Sequence, residues 1–158
     1  MKRTLEQKLN DVLDQIMHHS MRTRLTYGRP FGLRSLEALC LEILLKQEKA
    51  GKQGSNPSQI SASMQVRGPV VSPVLSSLEK QGYIQRRQDQ NDRRCRLVFL
   101  TEQGRNVAQQ FTDGKHQRCS AMVEYLGEED AREFIRILNR LSEHMEQSKP
   151  FEEGGKPQ

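Results

Sequence analysis

The sequence predicts a mainly α-helical chain with one small β-hairpin, and three observations carry that expectation. Apolar residues recur at intervals of three and four through long stretches at both ends. Two short helical segments, joined by a junction containing Gly68 and Pro69, occupy the middle. Directly after them, two strand-like segments flank a polar turn, Gln88-Asp89-Gln90-Asn91-Asp92.

Taken in order, Leu5, Leu9, Val12, Leu13, Ile16 and Met17 form one stripe, which predicts a first helix over residues 3–21. Gly28, Pro30 and Gly32 mark a loop over 26–32. A second helix over 33–49 turns Leu36, Leu39, Cys40, Ile43 and Leu44 inward, and Leu41 and Leu45 widen that face. Residues 50–55 (AGKQGS) read as a flexible connector. Asn56-Pro57-Ser58-Gln59 has the chemistry of a helix start: an Asn cap, Pro at the first position and a Gln able to bond back to the cap. Ile60 and Met64 are the apolar pair of this short third helix.

The fourth helix has Val71, Val74, Leu75 and Leu78 as its core positions and Gly82 as its stop. Pro73 follows Pro69 by four and removes a backbone donor, so a bend or a late start is expected. Residues 83–86 and 94–100 make the hairpin strands. Thr101 caps a fifth helix with Val107, Ala108, Phe111, Met122, Val123 and Leu126 on its apolar side, weakened or bent at Gly114. A sixth helix over 128–146 carries Ala131, Phe134, Ile135, Leu138, Leu141 and Met145, with Glu128, Glu129 and Asp130 suiting its N-terminus. Helix, tight turn, helix, hairpin is the order of a winged helix-turn-helix. The expected organisation is one domain over 1–147, with the winged helix at about 33–101, flanking helices at 3–21 and 102–147, and a tail at 148–158.

With 158 residues, 34% hydrophobic and 28% charged, the chain can build one core but has a large surface, which favours completing apolar burial by oligomerisation. No apolar run approaches the ~18 residues of a membrane span, and residues 1–15 lack the apolar stretch of a secretory signal. Three scattered cysteines without a CxxC pair fit a reducing cytoplasm. The net charge of +5 is unevenly placed. Residues 67–105 hold eight Lys/Arg against four Asp/Glu, whereas 127–153 hold four against eight. The polyanion-facing part is therefore central.

Five arginines, Arg86, Arg87, Arg93, Arg94 and Arg96, fall within eleven positions around the polar turn. Guanidinium groups on a hairpin suit phosphate contact or insertion into a minor groove, although a charged solvated hairpin is the plain alternative. No Ser/His/Asp set, HExxH or Gly-rich phosphate loop occurs, so neither an enzyme nor a cofactor is expected. His116 and Cys119 share a helical face without a third ligand, and with His18 and His19 they read as surface residues rather than a metal site. Cys40 reads as a buried small hydrophobe, and Cys95 as facing away from its neighbours Arg94 and Arg96. Met17, Met64, Met122 and Met145 read as core and seam residues.

Over residues 56–104 the sequence resembles the MarR (multiple antibiotic resistance regulator) family of bacterial transcription factors. The resemblance rests on Asn56-Pro57-Ser58-Gln59-Ile60, on Leu78-Glu79-Lys80-Gln81-Gly82-Tyr83-Ile84, and on Asp92-Arg93-Arg94 followed by Leu100-Thr101-Glu102-Gln103-Gly104. It implies an intertwined homodimer, joined by the first, fifth and sixth helices, on a pseudo-palindromic DNA operator. The fourth helix would enter the major groove, and Arg93 and Arg94 the minor groove, where narrowing concentrates negative potential. It also implies a repressor tuned by a small aromatic effector, for which the methionines would offer adaptable lining.

The resulting set of DNA-contacting candidates is Ser58, Gln59, Arg67, Val70, Ser72, Ser76, Arg86, Arg87, Arg93, Arg94 and Arg96, with Asp92 clamping one wing guanidinium. Ser58 and Gln59 sit at a helix N-terminus, suited to a phosphate. Where relatives often carry a basic residue near position 73, this chain has Pro73, and its fourth helix is poor in bidentate base readers. Wing contacts and DNA shape should then weigh more in recognition. Two alternatives stay open: a winged helix that binds an acidic protein partner, and a thiol- or metal-responsive regulator that reads DNA weakly.

Overall fold

No glycine or proline occurs between Met21 and Gly28, and the first helix, α1 (Leu5–Tyr27), runs on through that stretch instead of ending near residue 21. Thr4 and Gln7 cap it reciprocally: Gln7 N donates to Thr4 Oγ1 at 3.3 Å and Thr4 N to Gln7 Oε1 at 3.0 Å. The computed structural model describes residues 3–27, 29–89 and 95–147. A single 3-10 turn, Pro30–Gly32, holds Phe31 at φ 56° and sets its ring edge-on to Phe111, 5.4 Å between centroids.

Helices α2 (Ser35–Lys49), α3 (Pro57–Met64) and α4 (Gly68–Lys80) pack around one core with strands β1 (Ile84–Gln88) and β2 (Arg96–Leu100) and the start of α5 (Glu102–Leu126). Cys40, Leu41, Ile60, Val71, Leu75, Leu78, Val98 and Ala108 are almost fully buried. Each large apolar side chain in that set contributes about 1.5–3 kcal/mol of burial. Cys40, Leu41, Leu44 and Leu45 of α2 are buried as expected, with Leu39 and Ile43 partly so. Leu36 departs at 37% exposed, while the neighbouring Glu37 is buried and accepts a 2.6 Å bond from Arg34 N.

Two prolines do not delay α4, which begins at Gly68 and continues through Pro73. Pro69 stands in the first turn, where a missing N–H costs nothing. Pro73 withholds one bond, to the carbonyl of solvent-exposed Pro69, where water can take its place. Gly114 likewise leaves α5 continuous.

The connector over 50–55 ends as structure, not as flexible chain. Ser55 is 1% exposed and forms an antiparallel bridge with Val98, N–H to O at 3.1 Å one way and 2.9 Å the other. The β1–β2 pair runs Ile84↔Leu100, Arg86↔Val98 and Gln88↔Arg96 on the core-side face, so Gln85 and Arg87 take the opposite one.

The chain divides after Phe111 into two compact units. In the second, Gly127 (φ 79°) ends α5, donating to Val123 O at 2.9 Å, and its carbonyl opens α6 (Glu128–Gln147) by accepting from Ala131 N at 3.1 Å. Phe134, Ile135, Leu138 and Leu141 of α6 are 41–54% exposed, as are Val12, Leu13 and Ile16 of α1 at 50–59%. No helix among the described residues is long and apolar enough to cross a membrane. The expected tail over 148–158 lies outside the described residues.

In the first unit, Arg105 of α5 grips Glu48 of α2 with two bonds, 2.6 and 3.0 Å. The Arg105 hydrogen bond holds the Glu48 carboxyl below its ordinary 4.5. A depressed carboxylate stabilises the fold fully above its unfolded pKa and loses that contribution as pH falls through the folded one. Both side chains are about two-fifths exposed, which keeps the pair within about 1 kcal/mol. Arg105→Met is expected to cost up to about 1 kcal/mol in urea unfolding at neutral pH, and the deficit should shrink as pH falls through the lowered pKa of Glu48.

Candidate nucleic-acid interface

Asn56 starts α3 as its side chains dictate. Gln59 N donates to Asn56 Oδ1 at 2.9 Å, and Asn56 N donates back to Gln59 Oε1 at 3.3 Å. This commits one end of the Gln59 side chain to the cap; Ser58 stands exposed beside it. The turn into α4 is tight: Gln65 takes a left-handed conformation (φ 54°), and Ser61 Oγ donates to Val66 O at 2.6 Å. Arg67 is exposed at the head of α4.

Along α4, Val71, Val74, Leu75 and Leu78 face the core, which leaves Val70, Ser72, Pro73 and Ser76 exposed on the other side. As far as Ser76 that outer face is uncharged, with two hydroxyls, one methyl-bearing side chain and two prolines counting Pro69; exposed Glu79 and Lys80 follow at its C-terminal end. It suits close approach to a base-pair edge and offers no bidentate reader.

The hairpin sits against α4. Its neck is closed by Asp89 N donating to Cys95 O at 3.0 Å. Arg87 and Arg96 are exposed, and Arg87 stacks 5.5 Å above the Phe99 ring on the outer face. Arg86 behaves differently. It points back to α4, where its Nη2 donates to Ser76 Oγ at 3.3 Å and its Nε lies 3.3 Å from Glu79 Oε2. Asp92, Arg93 and Arg94, the expected tip residues, lie outside the described residues. The structure thus assembles Arg67, Val70, Ser72 and Ser76 on one helix, with Arg86, Arg87 and Arg96 on the adjoining hairpin.

Three residues that hold this assembly escaped sequence reasoning: Glu79, which pairs with Arg86; Ser55, which extends the sheet; and Gly104, which receives the Tyr83 backbone. Thr101 does more than cap α5. Its Oγ1 accepts from Gly104 N at 3.0 Å and donates to Gly82 O at 2.7 Å, tying the turn after α4 to the helix that follows the hairpin.

Burial pushes the Cys40 thiol up to about 12, which makes it a neutral core group and not a reactive thiolate. Cys119 is exposed, and among the described residues no cluster of three metal-ligating side chains exists. An open cleft of about 400 Å³ lies between Gln47, Glu48, the 51–55 segment and Phe99; none of the methionines lines it.

Residues 36–96 match the model of the MarR family. The chain is 35% identical over 70 residues to the uncharacterised HTH-type transcriptional regulator YwhA of Bacillus subtilis, covering 44% of this chain and 50% of that protein. It is 25% identical over 115 residues to the HTH-type transcriptional repressor YetL of the same organism, covering 73% and 69%. The chain therefore spans between half and seven-tenths of the length of these relatives. Its fold is similar to Streptococcus pneumoniae FabT, solved in complex with DNA, with a TM-score of 0.76 at 23% identity over 91% of this chain and 99% of that one. The family model thus covers the helix–turn–helix and its hairpin, and the same course of helices as in FabT is found over nine-tenths of the chain, so this segment is similar to the MarR family and the fold to its solved structures.

Proposed function

We propose that the protein is a homodimeric, sequence-specific DNA-binding regulator of transcription that acts as a repressor in the cytoplasm and carries no catalytic activity. One observation supports this reading above the rest: the outer face of α4, uncharged from Val70 to Ser76, lies beside a hairpin with exposed Arg87 and Arg96, within the segment that the family model matches. An uncharged helix face can enter a major groove without losing hydration of buried charge, and the neighbouring guanidinium groups supply the attraction to phosphates. The name of YetL supports repression, and the solved complex of FabT supports duplex DNA as the partner.

In this reading Ser58 and Arg67 take phosphates at the helix ends. Val70, Ser72 and Ser76 approach base edges; Arg87, Arg93, Arg94 and Arg96 follow the adjacent backbone and minor groove, with Asp92 bracing the tip. Gln59, whose backbone N–H and Oε1 are held in the cap, contributes through its side-chain amide nitrogen. The single domain over 1–147 dimerises through α1, α5 and α6, and a small aromatic effector alters the spacing of the two α4 helices.

Fluorescence anisotropy against a duplex selected from a random library tests the proposal. Affinity should fall on the order of a thousandfold from about 50 to about 200 mM salt, as six or more phosphate contacts per dimer require. Footprints should cover two half-sites about one helical turn apart. Failure to select any duplex, with binding to an acidic protein instead, would replace this reading with that of a protein-interaction module.

A further inference from the structure

Arg86 is the one described wing arginine that is turned inward. Its side chain is 23% exposed, and its Nε is buried without a hydrogen-bond partner, close enough to Glu79 Oε2 for charge pairing but misaligned for a bond. Strand register explains the orientation: Arg86 pairs with fully buried Val98, on the face that covers the core, whereas Arg87 takes the opposite face. The guanidinium therefore spans the hairpin and the outer half of α4, touching Ser76 and Glu79, which lie one helical turn apart.

The bond to Ser76 has a chemical consequence. A guanidinium is donor only, so Ser76 Oγ must accept from it, and the serine's own proton is left to point away from Arg86. Ser76 is exposed on the outer face of α4. Its hydroxyl proton is thereby available to an acceptor such as guanine O6 or N7, adenine N7 or thymine O4.

We propose that Arg86 is a positioning residue, not a phosphate contact: it fixes α4 against the wing through Glu79 and sets Ser76 as a hydrogen-bond donor for base reading. This rests on the DNA-binding reading above. It also removes Arg86 from the phosphate-contacting set that its charge alone suggests.

The test compares the full-length protein with Arg86→Ala, Arg86→Lys and Glu79→Gln, on a duplex selected by the parent protein and on a mixed-sequence duplex. For Arg86→Ala the selected duplex should weaken roughly tenfold, the size of one lost base contact, with mixed-sequence binding and the salt slope unchanged. Arg86→Lys keeps the charge but loses the fork, so it should stay defective on the selected duplex. Glu79→Gln should tighten binding to both duplexes yet shrink the ratio between them. Uniform weakening with a salt slope shallower by about one, rescued by lysine, would make Arg86 a phosphate contact and overturn the proposal. Hydrogen exchange without DNA is the independent arm: amides over 75–80 should exchange faster in Arg86→Ala and Glu79→Gln, with α2 unaffected. If the parent selects no duplex, the DNA reading fails, and unchanged exchange would refute the strut separately.

Discussion

Gly104→Ala is expected to unfold the first unit at a temperature at least about 10 °C below the parent. A Cβ at this position would lie 1.9 Å from the Tyr83 carbonyl oxygen and 2.8 Å from its carbon. Both are backbone atoms. They cannot step aside, because Tyr83 O accepts from Thr101 N at 3.0 Å and Tyr83 N donates to Leu78 O at 3.0 Å. Relief requires α5 to slide off the wing base, which would break the Thr101 bonds to Gly82 and Gly104 and open the core at Val107 and Ala108. Overpacking of this kind costs about 1–3 kcal/mol where side chains can yield and more where only backbone is available. Alanine recovers about 1 kcal/mol in helix propensity, so a net loss near 3 kcal/mol is expected. Gly114→Ala supplies the contrast within the same helix, since its new methyl would meet nothing closer than the flexible Arg118 side chain at 3.5 Å. That variant should be neutral or more stable by up to about 1 kcal/mol. Thermal and urea unfolding of the two variants separate packing from propensity; equal behaviour would refute the close approach.

The contrast between these glycines marks where sequence reasoning stops. Both sit in one helical stretch, and propensity treats them alike. Only the path of the chain at Tyr83, 21 residues earlier, makes Gly104 obligatory. The same holds for Ser55, whose partner Val98 is 43 residues away, and for Arg86, whose turn toward Glu79 depends on which face of the hairpin meets the core. Local chemistry was legible: the Asn56–Gln59 cap, the Thr101 cap, the buried stripe of α4 and the neutral Cys40 all follow from side chains within a turn or two of one another. Pro73 does not delay α4, because its lost bond falls at an exposed first turn where water can take its place. That the described candidates fall on α3, α4 and the hairpin was thus legible. Which of them face outward was not, since that is decided by strand register and long-range packing.

Leu138→Asp is expected to convert the protein to a folded monomer that has lost operator binding. Leu138 lies at the middle of the α6 stripe formed by Ala131, Phe134, Ile135, Leu138, Leu141 and Met145. The polar side of the same helix is stitched by its own ion pairs, Arg132 with Glu128 and Arg136 with Glu133, and asks for no partner. The apolar side does ask for one. Phe134, Ile135, Leu138 and Leu141 keep two-fifths to half of their surface open to water, a contiguous patch that single chains rarely leave uncovered. In a two-fold interface every residue appears twice, so one substitution buries two carboxylates. At about 2–3 kcal/mol each for lost contact and charge desolvation, dimer dissociation should strengthen by a thousandfold or more. Operator affinity should fall with it, because two α4 helices on one rigid dimer bind two half-sites with a gain that separate subunits lack. Arg140→Asp, on the polar side of α6, should leave assembly intact. Sedimentation velocity, circular dichroism and duplex titration on the two variants decide the matter. A Leu138→Asp protein that remains dimeric and holds its selected duplex at parental affinity would remove α6 from the dimer seam, and with it the geometry that sets two recognition helices one turn of DNA apart.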